Sequence, residues 1–322
     1  MRPRTFLSTG LILALLLAAP APRLQAAPGT PSPPGTVPEY TEEVSVGYVL
    51  VPVVVRSGGG FAERLKKDDF KLLIDGRPVK IESFEQRAEA PASLVFLQDL
   101  SGSMATGEKL AVSRQALRFF LDRSLPGDEF ALATFASGHG QVEVPFTQER
   151  SPLYQASDLF RGYGTTALHD AVAWLPEISL AARNPRRFAL LITDGADNAS
   201  EIRPEQAREM VRAAQLPVYV LGLGSGSPFI LGPGGKKLYR YADVLQLLAT
   251  ATGGRYYSIS QTRELQEALQ AIVEDLRHQY VLGFATGDGR KAYRKIEVKV
   301  AGDHPTVFFR RGYQGPPPAG SS

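Results

Sequence analysis

The run Phe96-Leu97-Gln98-Asp99-Leu100-Ser101-Gly102-Ser103-Met104 ends an apolar, strand-like segment with one carboxylate and two hydroxyls at alternate positions. If the backbone curls after the strand, Asp99, Ser101 and Ser103 converge on one point. Such oxygens suit a hard cation, since magnesium takes near-octahedral oxygen ligands at about 2.0 to 2.1 Å. Three groups leave that shell incomplete, so further donors are expected later in the chain. Gly164-Thr165-Thr166-Ala167-Leu168-His169-Asp170 is a Gly-led turn opening a helical pattern, where a hydroxyl can face the same point. Leu190-Leu191-Ile192-Thr193-Asp194-Gly195 delivers Asp194 from a buried-type strand into a Gly turn.

Each fragment alone has a plainer reading. Asp-x-Ser-x-Ser also serves as a turn with a helix N-cap, and Thr-Asp-Gly is a common turn. Their joint occurrence on alternating strand and helix segments is what singles them out. His169 reads as a surface or helix-packing histidine, because magnesium does not favour nitrogen. Asp197 and Asn198 read either as groups supporting the ligand loop by hydrogen bonds or as a polar turn before a helix.

Asp99, Ser101, Ser103, Thr166 and Asp194 together resemble the metal-ion-dependent adhesion site of von Willebrand factor A domains, with the three loops in that family's order. The family's Gly-Thr-Ala-Leu-x-Asp wording favours Thr166 over Thr165, four residues before Asp170. The resemblance implies a bound Mg2+ or Mn2+ with one position open. In the family that position takes water at rest and an acidic residue of a protein partner when engaged. The implied function is metal-bridged protein binding. The alternative is a structural component of an envelope assembly whose metal serves stability only.

Enzymatic readings fare worse. No Gly-x-Ser-x-Gly elbow surrounds Ser101 or Ser103, and only His139, His169, His278 and His304 could supply an imidazole base. The run Gly232-Pro233-Gly234-Gly235-Lys236-Lys237 fails as a phosphate loop, since Ile230 stands where the first Gly belongs and Lys237 where a Ser or Thr should be. No catalytic residue and no organic cofactor is expected.

The elements that must position these loops follow from the rest of the chain. Arg2 and Arg4, an apolar run from Leu11 to Ala19 and the small residues Ala26-Ala27 read as a secretory signal peptide over residues 1–26, cleaved after Ala26. The apolar run is far short of the ~20 residues needed to span a bilayer, so no membrane span is expected in the mature chain. Loss of Arg2, Arg4 and Arg23 takes the formal charge from +3 to zero, which removes the electrostatic case for nucleic-acid binding. Cysteine is absent, so neither a lipid-bearing cysteine nor a disulfide framework is available. A secreted or bacterial periplasmic protein is expected.

Residues 27–41 read as a proline-rich linker and 314–322 as a disordered tail. Residues 42–91 are strand-patterned. Asp75-Gly76 between two apolar runs signals a hairpin, and Pro52 argues for an edge strand or a bulge. Residues 92–274 alternate strand and helix, which predicts an α/β fold with a doubly wound, mostly parallel, Rossmann-like sheet and ligands beyond the carboxyl ends of its strands. Residues 275–313 return to strands. Residues 42–91 and 275–313 are expected to pack as one smaller β-rich subdomain, since each alone supplies too few strands and their net charges are opposite.

This outer layout resembles the VWFA-related family first named from acidobacterial proteins. It carries Asp69-Phe70 and Asp75-Gly76-Arg77-Pro78-Val79-Lys80-Ile81 ahead of the central region, and Gln279-Tyr280-Val281-Leu282-Gly283-Phe284 with Arg311-Gly312-Tyr313 behind it. The segment 222–241 is expected near the ligand face, where Phe229, Ile230 and Leu231 form either an exposed contact patch or a loop folded on itself.

Overall fold

Strand β6 (Ser93–Asp99) has every residue buried, because alternate side chains enter two different cores. Leu94 and Phe96 pack on one face with Ala116, Phe120, Leu269 and Ile272, while Val95 and Leu97 pack on the other with Val172, Leu175, Val211 and Leu248. A strand covered on both sides needs no polar face, which is why it reads as a continuous apolar run. The computed structural model describes residues 47–57, 60–87, 90–195, 197–224, 229–231, 237–286, 293–302 and 305–314. The expected signal peptide, linker and tail lie outside the described residues.

The central sheet runs β13 (Tyr256–Ile259), β10 (Val218–Leu223), β9 (Arg187–Thr193), β6, β7 (Glu129–Ala136), β8 (His139–Thr147). All neighbours are parallel except β7 and β8, which form an antiparallel edge. Helices α1 (Lys109–Asp122) and α6 (Thr262–Arg277) cover one face, and α3 (Leu168–Ser179), α4 (Pro204–Ala213) and α5 (Tyr241–Thr252) the other, with α2 (Ser151–Asp158) beside α1. The buried residues of α6, Leu265, Ala268, Leu269, Ile272 and Leu276, fall at helical spacing on one stripe. The predicted doubly wound, mostly parallel α/β sheet is therefore present.

Two antiparallel sheets flank it. One has the order β16 (Thr306–Phe309), β1 (Gly47–Ser57), β14 (Gln279–Thr286), β5 (Ser83–Arg87), with β2 (Gly60–Phe61) also on β1. The other has β17 (Gly312–Gln314), β15 (Tyr293–Val300), β3 (Phe70–Ile74), β4 (Arg77–Val79). Strands from the two ends of the chain pair within each sheet, and a shared core of Val51, Val53, Leu72, Ile74, Leu282, Phe284 and Ile296 lies between them. Asp75 and Gly76 form the β3–β4 turn with Ile74 opposite Arg77, both turn residues having positive φ. Pro52 lies within an inner strand of its sheet. It precedes the stretch Val53–Arg56 that pairs with β16, so at that point β1 has a neighbour on one side only and the missing N–H is tolerated. The described residues form one compact unit.

Asp275 on α6 joins the flanking sheets to the central one. Its Oδ1 accepts from Arg56 Nη2 at 2.8 Å and its Oδ2 from Arg255 Nη1 at 3.1 Å, with the carboxylate fully buried. Burial pushes its pKa upward, against the pull of Arg255 and Arg56.

The segment 222–241 contains a hairpin of β11 (Phe229–Leu231) and β12 (Lys237–Arg240), with Phe229 opposite Arg240. The side chains of Phe229, Ile230 and Leu231, and with them the contact-patch expectation, lie outside what is described. No helix among the described residues is long and apolar enough to cross a membrane.

Candidate metal centre

Asp99 is the last residue of β6 and Asp194 directly follows β9, its neighbour in the sheet, so both carboxylates leave adjacent parallel strands at their carboxyl ends. Asp99 is wholly buried. Its Oδ1 accepts from the Ser101 N–H at 2.8 Å, which curls the chain just after the strand, and its Oδ2 accepts from Thr193 Oγ1 at 2.6 Å. Thr193 Oγ1 also accepts the Gly195 N–H at 2.9 Å, so one hydroxyl fixes both acidic loops. Burial raises the Asp99 carboxyl to about 6, against the hydrogen bonds from Thr193 and Ser101.

Ser101 Oγ and Ser103 Oγ are 3.2 Å apart, on the curl that leads into a single turn of 3-10 helix at Gly102–Ala105. Lys109, the first residue of α1, reaches back across this curl. Its Nζ donates to the Ser103 carbonyl at 3.0 Å and to Asp194 Oδ2 at 2.9 Å.

Thr166 arrives on a third loop. Gly102 N–H donates to Gly164 O at 3.0 Å and Tyr163 N–H to Leu100 O at 2.8 Å, which presses residues 163–164 onto the first loop, while Ser137 N–H, from the β7–β8 turn, donates to Thr165 O at 2.8 Å. The approach is close enough to require glycine. A Cβ on Gly162 would sit 2.7 Å from the Ala105 backbone nitrogen, and Gly164 has φ +65°. Thr166 is buried and Thr165 exposed. The Thr166 N–H donates to Asn198 Oδ1 at 2.9 Å, and its carbonyl accepts from the N–H groups of Asn198 and Ala199 at 3.0 and 3.1 Å.

The described contacts therefore link Asp99, Ser101, Ser103 and Asp194 directly or through Thr193 and Lys109, and bring Thr166 in through its loop. Sequence reasoning did not single out Thr193 or Lys109. Thr193 stands beside Asp194 and Lys109 six residues after Ser103, and neither spacing by itself marks a role.

His169 sits outside this cluster. Its Nδ1 is 3.0 Å from Asp197 Oδ2, and its backbone N–H donates to Asp197 Oδ2 and Ser200 Oγ at 3.1 and 2.9 Å. Burial works against the Asp197 carboxylate, but hydrogen bonds from His169 and Ser200 hold its pKa down at about 2.

The donor set suits a hard cation. Asp194 Oδ1 is buried and has no hydrogen-bond partner among the described residues, while its Oδ2 is held by Lys109. A buried carboxylate oxygen without a donor is costly unless a cation meets it. Among the described residues no three His, Cys, Asp or Glu side chains cluster, so any cation here relies on hydroxyls beside the two carboxylates.

Residues 94–196 match the sequence model of the von Willebrand factor type A domain. The central α/β unit has the von Willebrand factor A fold. Two curated relatives are inter-alpha-trypsin inhibitor heavy chains of Mesocricetus auratus. Heavy chain H1 is 28% identical over 249 residues, covering 68% of this chain and 26% of that protein. Heavy chain H3 is 32% identical over 149 residues, covering 42% of this chain and 17% of that protein. The chain thus spans between about a sixth and just over a quarter of these relatives' length. Proximal thread matrix protein 1 of the mussel byssus, solved with a zinc-occupied MIDAS motif, is 17% identical with a TM-score of 0.50, covering 64% of this chain and 50% of that one. That similarity concerns the A-domain fold.

Proposed function

We propose that the A domain is an exported, metal-dependent protein-binding module in which Asp99, Ser101, Ser103, Thr166 and Asp194 hold one Mg2+ or Mn2+ and a partner's Asp or Glu completes the coordination. The observation that carries this reading is the buried Asp194 Oδ1, unpartnered among the described residues, beside the Asp99 curl. The metal, when bound, supplies a Lewis-acidic point for an incoming carboxylate.

The chain's own residues set the charge. Asp99 and Asp194 balance a divalent ion, and Lys109, 2.9 Å from Asp194, leaves the loaded site with one net positive charge. A partner carboxylate neutralises it. The exposed Tyr163 backbone-bonds to Leu100 on the same face and offers an aromatic contact to that partner. Ser101 and Ser103 bond to each other, which supports reading them as ligands ahead of nucleophiles.

Export rests on the leader pattern in residues 1–26. The domain boundaries at 42–91, 92–274 and 275–313 belong to the same proposal.

The test is calorimetric titration of the mature chain with Mg2+ and Mn2+, paired with pull-down from native envelope or medium with and without chelator. One site per chain is expected, lost in Asp194→Ala with the circular dichroism spectrum retained. Unchanged metal affinity in that variant would overturn the ligand set. A partner that stays bound in chelator would favour the alternative, a structural assembly component.

A further inference from the structure

At the end of the central sheet opposite the metal centre, a cavity of about 250 Å³ lies between the A domain and the β16-β1-β14-β5 sheet. The sheet's pleat explains it. Val51, Val53 and Leu282 point into the sandwich core, so Leu50, Pro52, Val54 and Val281 point the other way, toward the start of β9 and β10 and the end of α5. Arg310, one residue past β16, lines this cavity and is only 5% exposed.

Arg310 is unusual for a buried arginine. Its Nη2 donates to the Leu50 carbonyl at 2.6 Å, but its Nε and Nη1 are buried with no acceptor among the described residues. Arg186, already bonded to the Ala90 and Leu276 carbonyls, and Arg187 line the same cavity, and among the described residues no Asp or Glu does. Buried guanidinium groups are normally matched by carboxylates, because leaving charged donors unpaired is expensive. Burial lowers the Arg310 pKa only to about 10, so it stays charged at neutral pH. Gln279 lines the same wall. The volume is several times the share of one water, about 30 Å³, and has room for a phosphate or a short dicarboxylate.

We infer that this cavity is a binding site for a small oxyanion, a phosphate or carboxylate group, received by the Arg310 guanidinium between the sandwich sheet and the base of the A domain. The guanidinium fork matches two oxygens of either group. The site is separate from the metal centre and independent of the metal-binding reading.

The test titrates the full mature chain with inorganic phosphate and, separately, with succinate, by calorimetry and thermal shift at constant NaCl. One-to-one binding of either probe is expected, and the two arms separate the phosphate from the carboxylate source. Arg310→Gln should weaken binding at least tenfold. Val281→Phe keeps the guanidinium and fills the cavity, so it should weaken binding equally if Arg310→Gln does not fold. The assignment fails if neither probe binds the folded chain, or if binding survives in either folded variant. It also fails if Arg310→Gln lowers the melting temperature identically with and without probe, because then Arg310 serves only the fold.

Discussion

Lys109 Nζ stands 2.9 Å from Asp194 Oδ2, holding one oxygen of that carboxylate while the other is buried with no partner among the described residues. A tethered cation therefore shares a ligand with the site it adjoins. Replacing it removes one positive charge beside the divalent ion. Lys109→Met is expected to tighten Mg2+ or Mn2+ roughly tenfold, about 1.4 kcal/mol, and to weaken capture of a partner carboxylate. Calorimetry on the variant checks the first half. Loss of metal binding would show that Lys109 is needed to orient Asp194.

Asp275 is held by two guanidiniums from different parts of the chain, Arg56 on β1 and Arg255 just before β13. Removing the shared carboxylate leaves both arginines partly buried and facing each other. Asp275→Ala is expected to cost about 3 kcal/mol, since breaking a buried pair strands its partners. Urea denaturation followed by circular dichroism measures this. A change under about 0.5 kcal/mol, the range of ordinary surface substitutions, would mean the pairs are solvent-compensated.

The alternation of strands and helices was readable because β6 and β9 are buried on both faces and appear as unbroken apolar runs. Asp99 and Asp194 could be marked because each ends such a run before a turn. Lys109 and Thr193 were not legible, since their roles depend on reach across loops: Lys109 returns from α1 over the Ser103 carbonyl, and Thr193 bonds a carboxylate 94 residues earlier. Arg310 was hidden for a similar reason. It looks like one of several surface arginines until the pleat of β1 and β16 turns it toward the base of the A domain. Pro52 argued for an edge, yet β1 is an inner strand whose second neighbour begins only at Val53.

The Asp197 pair gives a pH dependence away from the metal. Its folded pKa of about 2 lies below the ordinary value of 3.8, so the carboxylate contributes stability that is fully present above about pH 4 and is lost as pH falls through 2. The shift corresponds to about 2 kcal/mol. Asp197→Asn is expected to destabilise by roughly that amount at pH 7, and the gap to the parent should close between pH 4 and pH 2. Melting curves across that window measure it, and a gap constant with pH would remove the carboxylate charge from the account.

Asn198 supports Thr166 at arm's length, its Oδ1 taking the Thr166 N–H at 2.9 Å while its own N–H returns a bond to the Thr166 carbonyl at 3.0 Å. Asn198→Ala keeps the backbone bond and withdraws the side-chain acceptor, which frees the loop that delivers the hydroxyl. Loss of one such bond is worth about 1 kcal/mol, or roughly fivefold in metal affinity. Thr166→Ala, which removes the proposed ligand itself, should weaken binding more. If Asn198→Ala weakens the metal as much as Thr166→Ala does, the loop's position matters more than its hydroxyl. If neither variant changes the titration, Thr166 is not a ligand, and Thr165 is the next residue to test.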